Sequence, residues 1–234
     1  MSELLYLAQE AHGGLERWRS LTQLRFAASV GGSLPWPREG FLARTGVTLD
    51  TRSQRASLEP FGSPAHRGVY ARDRVEIFDE DGELRAERDE PRRHVFGTRW
   101  DELSSAYFAG YTLWNSLTVP FLFSWTGFEV TEIAPWQERG EIWRRLQLRF
   151  PPYIGTHSPV QTCYFDSEDY LLRRHDYSAD VIGQVPTAQY TANYETFDGF
   201  RFPTRTRVAL RNPDNTSQQG PVIVSLDIDS VTAS

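Results

Sequence analysis

One histidine in this chain stands among groups that could move protons. The stretch Tyr164 to Asp180, YFDSEDYLLRRHDYSAD, sets His175 beside Arg173, Arg174, Asp176 and Tyr177. A histidine titrates near neutrality and can serve as general acid or base. Taken as a strand, YLLRRHDYS puts Leu171, Arg173, His175 and Tyr177 on one face and Leu172, Arg174 and Asp176 on the other. The neighbours His175 and Asp176 therefore point apart and cannot form a dyad. If the His175 face looks inward, His175 with Tyr177 or Tyr164 makes the candidate catalytic group. The alternative is that His175 anchors a ligand or satisfies a buried polar group without chemistry.

Other chemistries lack their residues. All 25 basic residues are arginine, which excludes a lysine Schiff base and a phosphate-loop lysine. The single cysteine, Cys163, allows no internal disulfide and reads as a small strand residue. His12, His66, His94 and His157 have no His, Cys or Asp partner at metal-ligand spacing, and GxSxG, GxGxxG and HExxH are absent. No metal and no cofactor is expected. The net charge of −6 disfavours nucleic acid as a partner.

The chain is rich in rings, with 7 Trp, 10 Tyr and 14 Phe in 234 residues. Such a surplus lines binding cavities, though large sheets also favour aromatics. From Leu103 to Phe128 there is no charged residue. Its serines, threonines, Asn115 and Pro120 argue against an integral membrane segment and for a helix from about Asp101 to Leu117. Tyr107, Tyr111 and Trp114 share one face of it, either as core or as ligand contacts. In AQYTANYETF, Tyr190, Ala192 and Tyr194 share a face. Tyr190, Tyr194 and Arg173 complete the ligand-binding candidates; an inward arginine would suit a carboxylate or phosphate head group.

The elements that must position these groups follow from periodicity. Residues 1–22 carry leucines at helical spacing, broken by Gly13-Gly14. Residues 23–90 read as a first set of strands with two-residue alternation, including a hairpin at Asp81-Gly82. Residues 100–126 form the apolar helical lid. Residues 127–234 form an antiparallel meander with hairpins across Ser167 to Asp169 and Asp198-Gly199. The whole of 1–234 is expected as a single domain of the α+β class, mostly antiparallel β. A strongly curved half-barrel sheet would wrap the N-terminal helix and the lid and enclose an apolar hollow. The N-terminus has acidic residues where a signal peptide needs basic ones, and it lacks a continuous apolar core, so a cytoplasmic protein is expected.

This order resembles the LolA/LolB and LppX-type lipoprotein-carrier fold, an incomplete β-barrel with helices plugging its open side. AHGGLERWRSL, YFDSEDYLLRRHDY and NYETFDGFRFPTRTRV carry the likeness. The chain departs from that family in having no lipid-attachment cysteine near its start. The resemblance implies a scaffold with a cavity for a hydrophobic ligand. The primary expectation is therefore binding of a hydrophobic small molecule or lipid-like ligand between sheet and lid. The alternative is a cofactor-independent enzyme, a cyclase, isomerase or hydrolase, using His175. A membrane-surface role ranks last, because the acidic charge opposes anionic lipid.

Overall fold

The computed structural model describes residues 2–37, 40–95 and 100–234. The helical N-terminus is α1 (Glu3–Ala11) and α2 (Leu15–Ser20). Gly13 at φ 127° and Gly14 at φ 90° turn the chain between them, and a Cβ on Gly13 would meet the Phe200 ring at 2.5 Å. Six strands follow: β1 (Gln23–Gly31), β2 (Leu42–Asp50), β3 (Arg55–Glu59), β4 (Arg67–Ala71), β5 (Arg74–Phe78) and β6 (Leu84–Asp89). A 3-10 turn at Pro91–His94 leads to α3 (Glu102–Thr118). The meander is β7 (Glu129–Glu138), β8 (Glu141–Arg149), β9 (Val160–Asp166), β10 (Leu172–Ala179), β11 (Val185–Phe197), β12 (Phe200–Leu210) and β13 (Val224–Ala233).

All thirteen strands join one antiparallel sheet in the order β6-β5-β4-β3-β2-β1-β13-β12-β11-β10-β9-β8-β7. Each half is a run of hairpins, and the last strand returns to pair with the first, Leu24 opposite Ala233. The free edges are thus β6 and β7, the strands that flank α3 in sequence. Both edges carry acidic residues, Glu87 and Asp89 on one and Glu129, Glu132 and Glu138 on the other, which oppose pairing with another chain. The architecture is a curved, open, mostly antiparallel half-barrel with few helices.

Helix α3 occupies the open side. Asp101 caps it, accepting from the Ser104 amide at 2.8 Å. A hydrogen bond from Arg88 holds the Asp101 carboxyl down to about 2, so the cap stays ionised. From Ser104 to Asn115 every residue of α3 is buried. The hollow expected beneath the helix is therefore filled: α3 packs against β3, β4 and β5, and rings from both halves of the sheet close around it.

Gly110 lets α3 approach β4 closely: an added Cβ there would lie 2.3 Å from Tyr70 Cβ. On an exposed helix, Gly→Ala stabilises by about 1 kcal/mol. Here overpacking costs about 1–3 kcal/mol and reverses that sign. Gly110→Ala is expected to be net destabilising in urea unfolding; a stabilised variant would mean that α3 docks more loosely.

Candidate functional site

The inner face of α3 begins a continuous run of rings. Tyr107 and Tyr111, one turn apart, have centroids 5.0 Å apart. Tyr111 Oη lies 3.0 Å from His157 Nδ1. The His157 ring stacks on Tyr177 at 3.9 Å and 4°. Tyr177 then meets His175 edge-on at 5.4 Å. Trp114 leaves this run and donates to the Asp50 carbonyl at 2.7 Å.

Cross-strand register decides where the remaining candidates point. One row across β8 to β12 reads Leu146, Cys163, His175, Gln189, Val208, and all five are buried. The next row reads Arg145, Tyr164, Arg174, Tyr190, Arg207 and forms the opposite, outer face. Cys163, not Tyr164, opposes His175, so Tyr164 points away and the structure does not bring the two together. Tyr190 is likewise outside, donating to Glu138 at 2.7 Å. Tyr194 parts from it: Asn193 lies between them at φ 54°, and the Tyr194 ring packs 5.7 Å from the buried His12 at the end of α1. Arg173 lies at an irregularity in register between Leu172 and Arg174, paired with Asp169 at 2.7 Å and near Asp166 and Glu141. It closes a hairpin and stands outside the cleft beside the 3-10 turn.

Burial sets the protonation states of the inner groups. It lowers His175 to about 4 and holds His157 well below its ordinary value, so both rings are neutral at pH 7. It raises Tyr111 and Tyr177, which remain protonated. The small space touching His157 and Tyr177 is about 10 Å³, room for about one water and no substrate. Among the described residues no group of three His, Cys, Asp or Glu side chains could hold a metal ion. None of the described helices is long and apolar enough to cross a membrane.

The element that sequence reading missed is the segment 150–159 between β8 and β9. It crosses the mouth of the half-barrel as a strap. Gln54 fastens it twice, donating to the Gly155 carbonyl at 2.6 Å and accepting from its amide at 2.7 Å. Asn115 donates to the same carbonyl at 2.9 Å, and Arg92 to the Thr156 carbonyl at 2.8 Å. These bonds satisfy backbone that would otherwise be stranded over a packed interior. The signal was FPPYIGTHSP, too long and too apolar for a hairpin turn.

Between the strap, the 3-10 turn and α3 lies a cleft of about 440 Å³. Tyr107, Phe150, Pro151, Ile154 and Pro159 line it, with Arg72 and Arg93 beside them. Arg92 crosses its inner end, donating to Tyr107 Oη at 3.3 Å and pairing with Asp180.

No protein-family model matches the chain, and no curated protein matches it in sequence. Solved structures do. A LolA superfamily protein from Nitrosomonas europaea aligns over 98% of this chain and 91% of its own, with TM-score 0.57 at 11% identity. A DUF1329 family protein from Desulfovibrio piger aligns over the same shares, 98% and 91%, with TM-score 0.50 at 12% identity. At such identity the likeness is one of fold: a LolA-like half-barrel.

Proposed function

We propose that this LolA-like half-barrel binds a hydrophobic small molecule or acyl chain in the cleft between the strap and α3. The observation that carries the reading is the cleft itself. Its volume of about 440 Å³ falls within the range of small-molecule sites, and most of the surface it exposes is apolar, with Arg72, Asp73, Glu90, Arg92 and Arg93 among the residues around it. Tyr107, Phe150, Pro151 and Ile154 supply the apolar area, while the Tyr107 hydroxyl and Arg92 offer a polar end.

Acid–base catalysis by His175 has less support. His175 is buried in a packed row and lines neither the cleft nor the small space of about 10 Å³ beside His157 and Tyr177. The resemblance to a carrier scaffold supports the same preference for binding over turnover.

A dansyl-labelled undecanoic acid is the probe of choice, since its emission rises on transfer to an apolar site. Saturable binding is expected. Pro152→Trp, at an exposed position on the cleft wall, should weaken it about tenfold or more by filling the space, with unchanged thermal unfolding. Native mass spectrometry of freshly purified protein should show a co-purified apolar compound. Probe binding that is absent, or equal in Pro152→Trp, would remove the assignment.

A further inference from the structure

The outer face of β7 to β10 carries an arrangement that binding in the strap cleft does not use. Outer faces of antiparallel sheets are ordinarily solvated rows of polar side chains. Here the row is roofed. Trp136 from β7, Tyr164 from β9 and Asn215 from the loop after β12 border a groove of about 410 Å³. Its floor is ordered from below. Tyr164 donates to Asp176 at 2.7 Å and accepts from Asn215 Nδ2 at 2.8 Å. The fully buried Arg174 grips both oxygens of Asp176, at 2.7 and 2.9 Å.

Two guanidinium groups border the same groove with donor capacity left over. Arg145 lies over the Trp136 and Tyr164 rings at 5.7 and 5.5 Å, and among the described residues its hydrogen bond is to the Ala134 carbonyl through Nε. Arg211 donates to Asn215 Oδ1 at 2.9 Å, but its Nε is buried and makes no hydrogen bond. The nearest carboxylate oxygen to that Nε, Asp176 Oδ2 at 3.6 Å, is already bound by Arg174. Asp176 is the one carboxylate lining the groove among the described residues, against Arg145 and Arg211. Among the described residues Arg145 has no carboxylate partner and Arg211 only shares Asp176 with Arg174; guanidinium edges so placed are suited to an oxyanion, and the adjoining rings to a flat body.

We propose that this groove is a second ligand site, taking a small flat molecule that carries a carboxylate or phosphate group. Arg145 and Arg211 hold the oxyanion and Trp136 packs against the body. The test is calorimetric titration of the full chain with benzoate, phenyl phosphate and, as the uncharged control, benzyl alcohol. At least one anion should bind saturably in the millimolar range or tighter, and benzyl alcohol about tenfold more weakly or not at all. The tighter of the two anions identifies the head group. Arg145→Gln and Arg211→Gln should each cost about tenfold, the size of one charge-assisted hydrogen bond. Arg139→Gln, beside Tyr190 and outside the groove, should change nothing. Saturation by neither anion, equal binding of benzyl alcohol, or wild-type affinity in whichever of the two groove variants folds would overturn the proposal.

Discussion

Arg174→Ala will lower the stability of this chain by about 3 kcal/mol or more, the usual consequence of removing one partner from a buried ion pair. Arg174 is 0% exposed although it sits on the outer face of the sheet. Its guanidinium satisfies Asp176 through Nε and Nη2, Glu138 at 2.7 Å and the Asn215 carbonyl at 2.7 Å. Three rings enclose it, Tyr164 at 4.9 Å, Tyr190 at 5.5 Å and Trp136 at 6.0 Å, adding cation–π attraction in a desolvated setting. Burial pushes the Glu138 carboxyl up, but hydrogen bonds from Tyr190 and Trp136 and the Arg174 charge outweigh it and hold Glu138 below its ordinary value. Alanine removes the cation and leaves two carboxylates facing each other behind aromatic walls. Lysine will not restore the site, since a point charge cannot bridge both carboxylates as the planar fork does. Arg174→Met with Asp176→Leu should cost less than Arg174→Ala alone, because it removes the stranded charge as well. Urea unfolding of these variants decides the matter: a loss below about 1 kcal/mol in Arg174→Ala would show that solvent screens the cluster.

Acidification should be the second large effect. His12 and His175 are each lowered by burial to about 4, and His157 well below its ordinary value. In the unfolded chain each titrates near 6.5. Between pH 6.5 and 4 the unfolded state therefore binds protons that the folded state refuses, and stability falls as pH falls through that window. For His12 and His175, lowered from 6.5 to about 4, this corresponds to about 3 kcal/mol each at the low end, and His157 adds in the same direction, so the summed loss is several kcal/mol. Asp180, whose carboxyl burial raises, offsets a part. Each ring is caged by named groups. Phe165 and Tyr194 pack on His12, Tyr111 and Tyr177 on His157, and Tyr177 on His175. His175 Nε2 is buried and unbonded among the described residues. His175→Leu should therefore be tolerated at pH 7 and should flatten the stability–pH curve between 6.5 and 4 by about 3 kcal/mol. Chemical unfolding at pH 7 and pH 4.5 checks this; a curve parallel to that of the unmodified protein would mean His175 is not held neutral by burial.

The first effect and the His175 share of the second lie on residues of the RRHDY stretch, and alternation alone separated them. That His175 and Tyr177 share a face while Arg174 and Asp176 share the other is a local consequence of the two-residue strand period. The strand set, the hairpins at Ser167 to Asp169 and Asp198-Gly199, the glycine break at Gly13-Gly14 and the capped helix from Asp101 are local in the same sense. Each depends on turn chemistry or periodicity within about ten residues, and the sequence by itself determined them.

What the sequence did not determine depends on partners far along the chain. Whether Tyr164 stands beside His175 is settled by the β9–β10 register, which puts Cys163 there instead. Whether Arg174 is solvated is settled by Glu138, 36 positions away, and by Asn215, 41 positions away. Whether α3 covers a hollow or fills it is settled by Tyr70 against Gly110 and by a strap tied to Gln54 across 101 positions. Periodicity assigns a side chain to a face, but burial and charge pairing depend on what the tertiary structure lays over that face. Here it laid rings and a loop over the outer arginine and packed side chains over the inner histidine.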